Sequence, residues 1–173
     1  MILKIFSILI CVIFVGNFLL CYLRSKGKYD EYMEYVDKEE YGLKDFIPLG
    51  LLKAESTWTE KIMPMQLKTV LASHNNQVYQ KVLELHGPKD VEFYYYIHSG
   101  YRLAAAILAS AMAAIMGMIM SVQGDTSNGV LLSVIAIAAN FAVPFLVDTS
   151  LKESIEKRRR SIQMEFPEFV NKL

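Results

Sequence analysis

Three stretches without a single charged residue or histidine dominate the chain: Ile5 to Leu23, Leu103 to Val122 and Val130 to Val147, of 19, 20 and 18 residues. The hydrocarbon layer of a bilayer is about 30 Å thick and a helix rises about 1.5 Å per residue, so each stretch is long enough to cross it. The rest of a 173-residue chain is too small to bury three helices that are apolar on every side. The expectation is an all-α integral membrane protein with three transmembrane helices and a small helical cytoplasmic domain.

Lys and Arg flanking short loops set orientation. Arg24, Lys26 and Lys28 follow the first stretch, only Lys4 precedes it, the loop 123–129 has no Lys or Arg, and Lys152 and Lys157 to Arg160 follow the third stretch. These charges predict an extracytoplasmic N-terminus (1–4), spans at 5–23, 103–122 and 130–147, a cytoplasmic domain over 24–102, an extracytoplasmic loop (123–129) and a cytoplasmic tail (148–173). The first stretch exceeds the usual apolar core of a cleaved leader, about 7–15 residues, and lacks an A-x-A site. Bulky Leu20 before Cys21 argues against a lipoprotein site. Cys11 and Cys21 lie about 15 Å apart along a helix, too far for a bridge, and read as buried apolar residues.

Lys and Arg number 18, as do Asp and Glu, so the positive surplus of a general nucleic-acid binder is missing. Within the cytoplasmic segment, Tyr29, Tyr32, Met33 and Val36 fall on one side of a short helix, with Asp30, Glu31, Glu34 and Asp37 between them and Tyr41-Gly42 as its end. Phe46 to Leu52 is apolar but interrupted by Pro48 and Gly50. It reads as an interfacial or packing segment awkward as regular structure. After Pro64, the residues Leu67, Val70, Leu71, Val78, Val82 and Leu85 predict a helix of about 20 residues that stops at Gly87-Pro88. Pro88, Asp90 and Glu92 then open a helix that runs on into the second span.

Phe93, Tyr94, Tyr95, Tyr96 and Tyr101 precede that span, where amphipathic rings favour the headgroup layer. His74, His86 and His98 recur every twelve residues, about 18 Å along a helix, so no two can share an ion on one helix. In the second span Ala105, Ala109, Ala113 and Gly117 recur every fourth residue, with Ala106, Ser110 and Ala114 beside them. Such spacing lets helix backbones approach closely in lipid. Asn140 is expected to bond a neighbouring helix, and Pro144 frees a carbonyl one turn back.

No ionisable residue lies at membrane depth, as pumps and channels usually require. There is also no phosphate-binding Gly-Lys-Ser loop, Ser-His-Asp arrangement or carboxylate pair near a membrane cleft. A non-enzymatic protein without metal or cofactor is expected.

Beyond Val147, Ile155 and Ile162 give an emerging helix a thin apolar seam, while Lys157, Arg158, Arg159 and Arg160 would attract anionic lipid at about 1 kcal/mol each near a surface. Phe166-Pro167-Glu168 is expected to end that helix and start another, with Phe166, Phe169, Val170 and Leu173 as its apolar side. The span, basic exit helix and motif Phe166-Pro167-Glu168-Phe169-Val170-Asn171-Lys172-Leu173 together resemble type II secretion system F family proteins, specifically the shorter kind found with tight-adherence (Flp-type) pili. Leu43 to Gly50 is similar to the N-terminal portion of clostridial-type members.

The resemblance covers the N-terminal membrane portion and the first turns of the cytoplasmic F domain. In the family a helical bundle and further spans follow, so a fragment or abbreviated member is expected. It implies an inner-membrane platform that contacts a cytoplasmic hexameric ATPase and passes pilin outward, in a homo- or hetero-oligomer with another platform subunit. A small membrane sensor or regulatory adaptor, whose cytoplasmic helices bind a signalling partner, is the alternative from another class.

Overall fold

A computed structural model describes residues 2–36, 38, 41–55 and 65–170, with side chains for all of these except 55, 65–71 and 161–170. Among the described residues every regular element is helical: α1 (Ile2–Ser25), α2 (Asp30–Glu34), a 3₁₀ turn (Lys44–Phe46), α3 (Ile47–Glu55), α4 (Met65–His86), α5 (Val91–Gln123) and α6 (Thr126–Val170). Three of these helices, α1, α5 and α6, are long and apolar enough to cross a membrane. Within the most apolar window of each, 39% of α5 is buried inside the protein, against 17% of α1 and 11% of α6. Of the three, α5 is therefore the one most enclosed by the rest of the chain.

The ends of the helices follow from local chemistry. Gly124 has φ +107° and the Asp125 N–H donates to the Met120 carbonyl at 3.1 Å, closing the end of α5 in a Schellman arrangement. Asp125 then caps α6, accepting from the Asn128 backbone N–H at 3.3 Å and from its side-chain amide at 2.7 Å. Gly87, at φ +82°, ends α4, its N–H donating to Leu83 at 2.9 Å. The next helix, α5, begins at Val91, past the Pro88 expected in its first turn, and as expected runs from the polar segment into the second apolar stretch in one piece of 33 residues.

Three expectations are corrected. The stripe around Tyr29 to Val36 carries only a five-residue helix that ends at Glu34 rather than at Tyr41-Gly42, because the Val36 N–H turns to the Met33 carbonyl three residues back, at 3.4 Å, instead of continuing the four-residue pattern. Its Asp37 lies outside the described residues. The apolar segment from Phe46 is regular after all: Pro48 sits in the first turn of α3, where its missing N–H is not needed. Phe166-Pro167-Glu168 does not end a helix, since α6 continues to Val170. An interior proline removes one backbone donor and can bend a helix without terminating it. The side chains of this motif, Asn171 to Leu173, Pro64 and the side chains of Leu67, Val70 and Leu71 lie outside the described residues.

The chain divides into two compact units, Met1–Thr57 with Ile97–Phe145, and Trp58–Tyr96 with Leu146–Leu173. In the first, α3 lies against α5 with the backbones nearly touching. A Cβ on Gly50 would overlap the Gly100 carbonyl oxygen and stand 2.7 Å from the Ala104 nitrogen. Ile47, Leu49 and Leu51 of α3 are fully buried around this approach. In the second unit Val78 and Val82 of α4, Val91 of α5 and Leu151 of α6 form the core, bordered by Tyr79, Leu83, Leu85, Tyr94 and Tyr95.

Candidate functional site: two helix seams

The seam of the first unit is made of small residues. Ser110, Ala114, Gly117 and Ser121 on α5 are buried, as are Gly129, Ser133 and Ala136 on α6. A Cβ on Gly117 would stand 2.8 Å from the Gly129 carbonyl oxygen and 2.9 Å from Ser133 Oγ, and one on Gly129 would stand 2.7 Å from the Gly117 carbonyl oxygen. The Ser133 hydroxyl is satisfied on its own helix, donating to Gly129 at 2.9 Å. Ser121 Oγ donates to Ser7 Oγ at 2.9 Å, which ties α1 to the pair. Below that bond Ile10 and Cys11 pack on Ala114 and Ala136, so Cys11 is a core residue.

The fourfold stripe read from the sequence only partly coincides with this seam. Gly117 is buried in it, whereas Ala105, Ala109 and Ala113 are half-buried. A helix turns about 100° per residue, so a strict four-residue repeat drifts about 40° at each step, and three steps carry it from one face to the next. The contacting positions alternate spacings of four and three, from Ser110 through Ala114 and Gly117 to Ser121. Asn140 and Pro144 are half-buried on α6. The Asn140 amide reaches the Ala136 carbonyl of its own helix at 3.5 Å, not the neighbouring helix expected of it, because a helical side chain leans back over the preceding turn.

Three rings of the expected aromatic belt also meet protein. Tyr101 meets Tyr41 edge to face at 5.3 Å, Tyr95 meets Tyr79 likewise at 5.4 Å, and Tyr94 stacks on His86 at 3.6 Å. Tyr96 and Phe93 are half-buried.

The seam of the second unit is of another kind. His74 Nε2 on α4 and Asp148 Oδ2 on α6 are 2.7 Å apart, and Asp148 is only 2% exposed. A carboxylate removed from water to this extent is costly unless hydrogen-bonded, and the imidazole N–H supplies a bond. About three turns further along both helices, Arg159 grips Glu84, with its Nε donating at 2.9 Å. Both pairings advance in the same direction, so α4 and α6 run parallel here, with Val78, Val82 and Leu151 between the two polar ends.

Arg159 is thus engaged on protein, and Arg160 lies 3.7 Å from Glu156. Lys157, Arg158 and Arg160 are exposed, but consecutive residues fan around a helix, so the four basic side chains do not share one face.

Sequence reasoning missed His74–Asp148, Ser7–Ser121 and the contact of Gly50 with Gly100. Only the first left a usable signal: Asp148, Leu151, Ile155 and Ile162 recur at three, four and seven, a seam with an acid at its head. Among the described residues no group of three or more His, Cys, Asp or Glu could hold a metal ion. Comparison of the chain with protein-family models, curated proteins and solved structures returned no match.

Proposed function

We propose that this chain is a non-enzymatic platform subunit of the cytoplasmic membrane, of the type II secretion F kind that serves Flp-type pili. On this reading its N-terminus and the 123–129 loop are outside the cell. The polar segment after α1 and the tail after Val147 face a cytoplasmic secretion ATPase, and the apolar helices accompany pilin outward. One observation carries the reading. The single helix α6 joins the third apolar stretch, the buried Asp148, the basic Lys157 to Arg160 and the Phe166 to Val170 motif without interruption. A platform has to pass force between a water-soluble motor and helices in lipid, and an unbroken helix is the stiffest connection a chain offers. The charge asymmetry around α1 and α6 supports the orientation.

Deleting the gene is expected to abolish surface filaments and leave pilin in the membrane fraction, with restoration by the full chain. Normal filaments in the deletion strain refute the proposal. Orientation is read separately in a cysteine-free background: Ser127→Cys reacts with an impermeant thiol reagent on intact cells and Glu60→Cys does not, and the opposite pattern inverts the topology.

A further inference from the structure

We propose that Tyr32 and Tyr35, on and just after α2, form the interfacial anchor of the first unit, seated in the headgroup layer of the bilayer. The inference rests on the membrane placement of α1 and α5. Within that unit two helices mark where apolar chain gives way to polar: α1 turns polar at Arg24, after Leu23, and α5 turns apolar at Leu103, after Arg102. The segment between α2 and α3 is fastened at this level. Tyr41 packs edge to face on Tyr101, two residues before the apolar stretch of α5, and Lys44 holds the Val36 carbonyl at 2.6 Å.

The segment from Tyr29 to Tyr41 buries Tyr29, Val36 and Tyr41 and turns two rings outward, Tyr32 at 44% and Tyr35 at 71% exposure. Tyr22, in the last turn of α1 and two residues before Arg24, is 43% exposed. Rings with an apolar body and a polar tip gain most where hydrocarbon meets water, and a short helix with apolar and charged residues interleaved can lie in that plane.

The charges around α2 bear on the occupant as well. Asp30, Glu31 and Glu34 are balanced by Arg24, Lys26 and Lys28 just before them, so no net charge selects the surface and the fit is to zwitterionic headgroups through ring insertion, with little dependence on salt. This adds Tyr32 and Tyr35 to the half-buried rings that precede the second span.

The test uses the full chain in phosphatidylcholine nanodiscs, with Trp58→Phe so that one introduced tryptophan emits. Tyr35→Trp is expected to emit to the blue of Gln80→Trp and to lose about half its intensity to lipids brominated near the headgroup, but less to lipids brominated deep in the chains. Met116→Trp, on the exposed side of the second span, is the reference for depth and should respond most to deep bromines. Emission from Tyr35→Trp that ignores both lipids and is quenched by iodide as fully as Gln80→Trp overturns the anchor and leaves this surface to a protein partner. Failure of Met116→Trp to respond overturns the membrane placement itself.

Discussion

In the first unit α5 and α6 meet through glycine, alanine and serine, whereas in the second α4 and α6 meet through valine and leucine between two polar pairs. The contrast follows from solvent. Lipid tails are as apolar as leucine, so burying a large side chain between two spans gains little. Close backbone approach gains dispersion and lets Ser7 and Ser121 satisfy each other. Outside the apolar stretches water supplies the drive, at about 25 cal/mol per Å² of apolar surface removed from it, and large residues serve. Polar pairs differ as well. Buried Asp148 must be partnered, while Arg159 and Glu84 are 67% and 45% exposed and remain largely hydrated.

The largest test of this contrast is bulk in the small seam. Gly129→Leu sets a side chain against Ser121 and the Gly117 carbonyl, where backbone rather than a flexible tip blocks it. Little monodisperse protein is expected in detergent, and recovery equal to the parent chain would break the account of the seam.

Next comes Leu151→Ala, which opens a cavity in the second core and is expected to cost about 2–5 kcal/mol, seen as earlier proteolysis of residues 65–96 in the purified chain. Asp148→Asn keeps the shape but loses the charge-assisted bond, for about 1–3 kcal/mol. A double-mutant cycle with His74→Ala, followed by thermal melting, reads the coupling, and additive effects would show the pair to be idle. Arg159→Ala ranks last, at about 0–1 kcal/mol and diminishing with salt.

A finer comparison lies within α5. Ala114→Leu is expected to disrupt the protein far more than Ala113→Leu, measured by loss of the folded fraction on size exclusion, because Ala114 is fully buried and Ala113 only half. Equal losses would favour the fourfold stripe over the alternating seam.

The spans were legible because uninterrupted apolar length is a signal that needs no tertiary context. The stop at Gly87 was legible for a similar reason, since a positive φ is decided within a few residues. The position of the small seam was half legible: residue size marks the stripe, but which residues touch depends on how the helix rotates over successive turns, and a repeat count ignores that drift. His74 and Asp148 are 74 positions apart and pair only because two helices run side by side. The brevity of α2 was hidden likewise, because a stripe marks an apolar face and not where the backbone bonds tighten from four residues to three. The pairs Gly50–Gly100 and Ser7–Ser121 consist of residues ordinary in themselves, and only the fold brings them together.

The turn between α5 and α6 has a consequence for biogenesis. Only Gly124 and Asp125 separate the two helices, which holds their adjoining ends together. Their seam is built from contacts close in sequence, which form early, so the α5–α6 hairpin is expected to assemble first. The first helix, joined to them by a hydroxyl pair more than a hundred residues apart in sequence, is then expected to dock on that hairpin last.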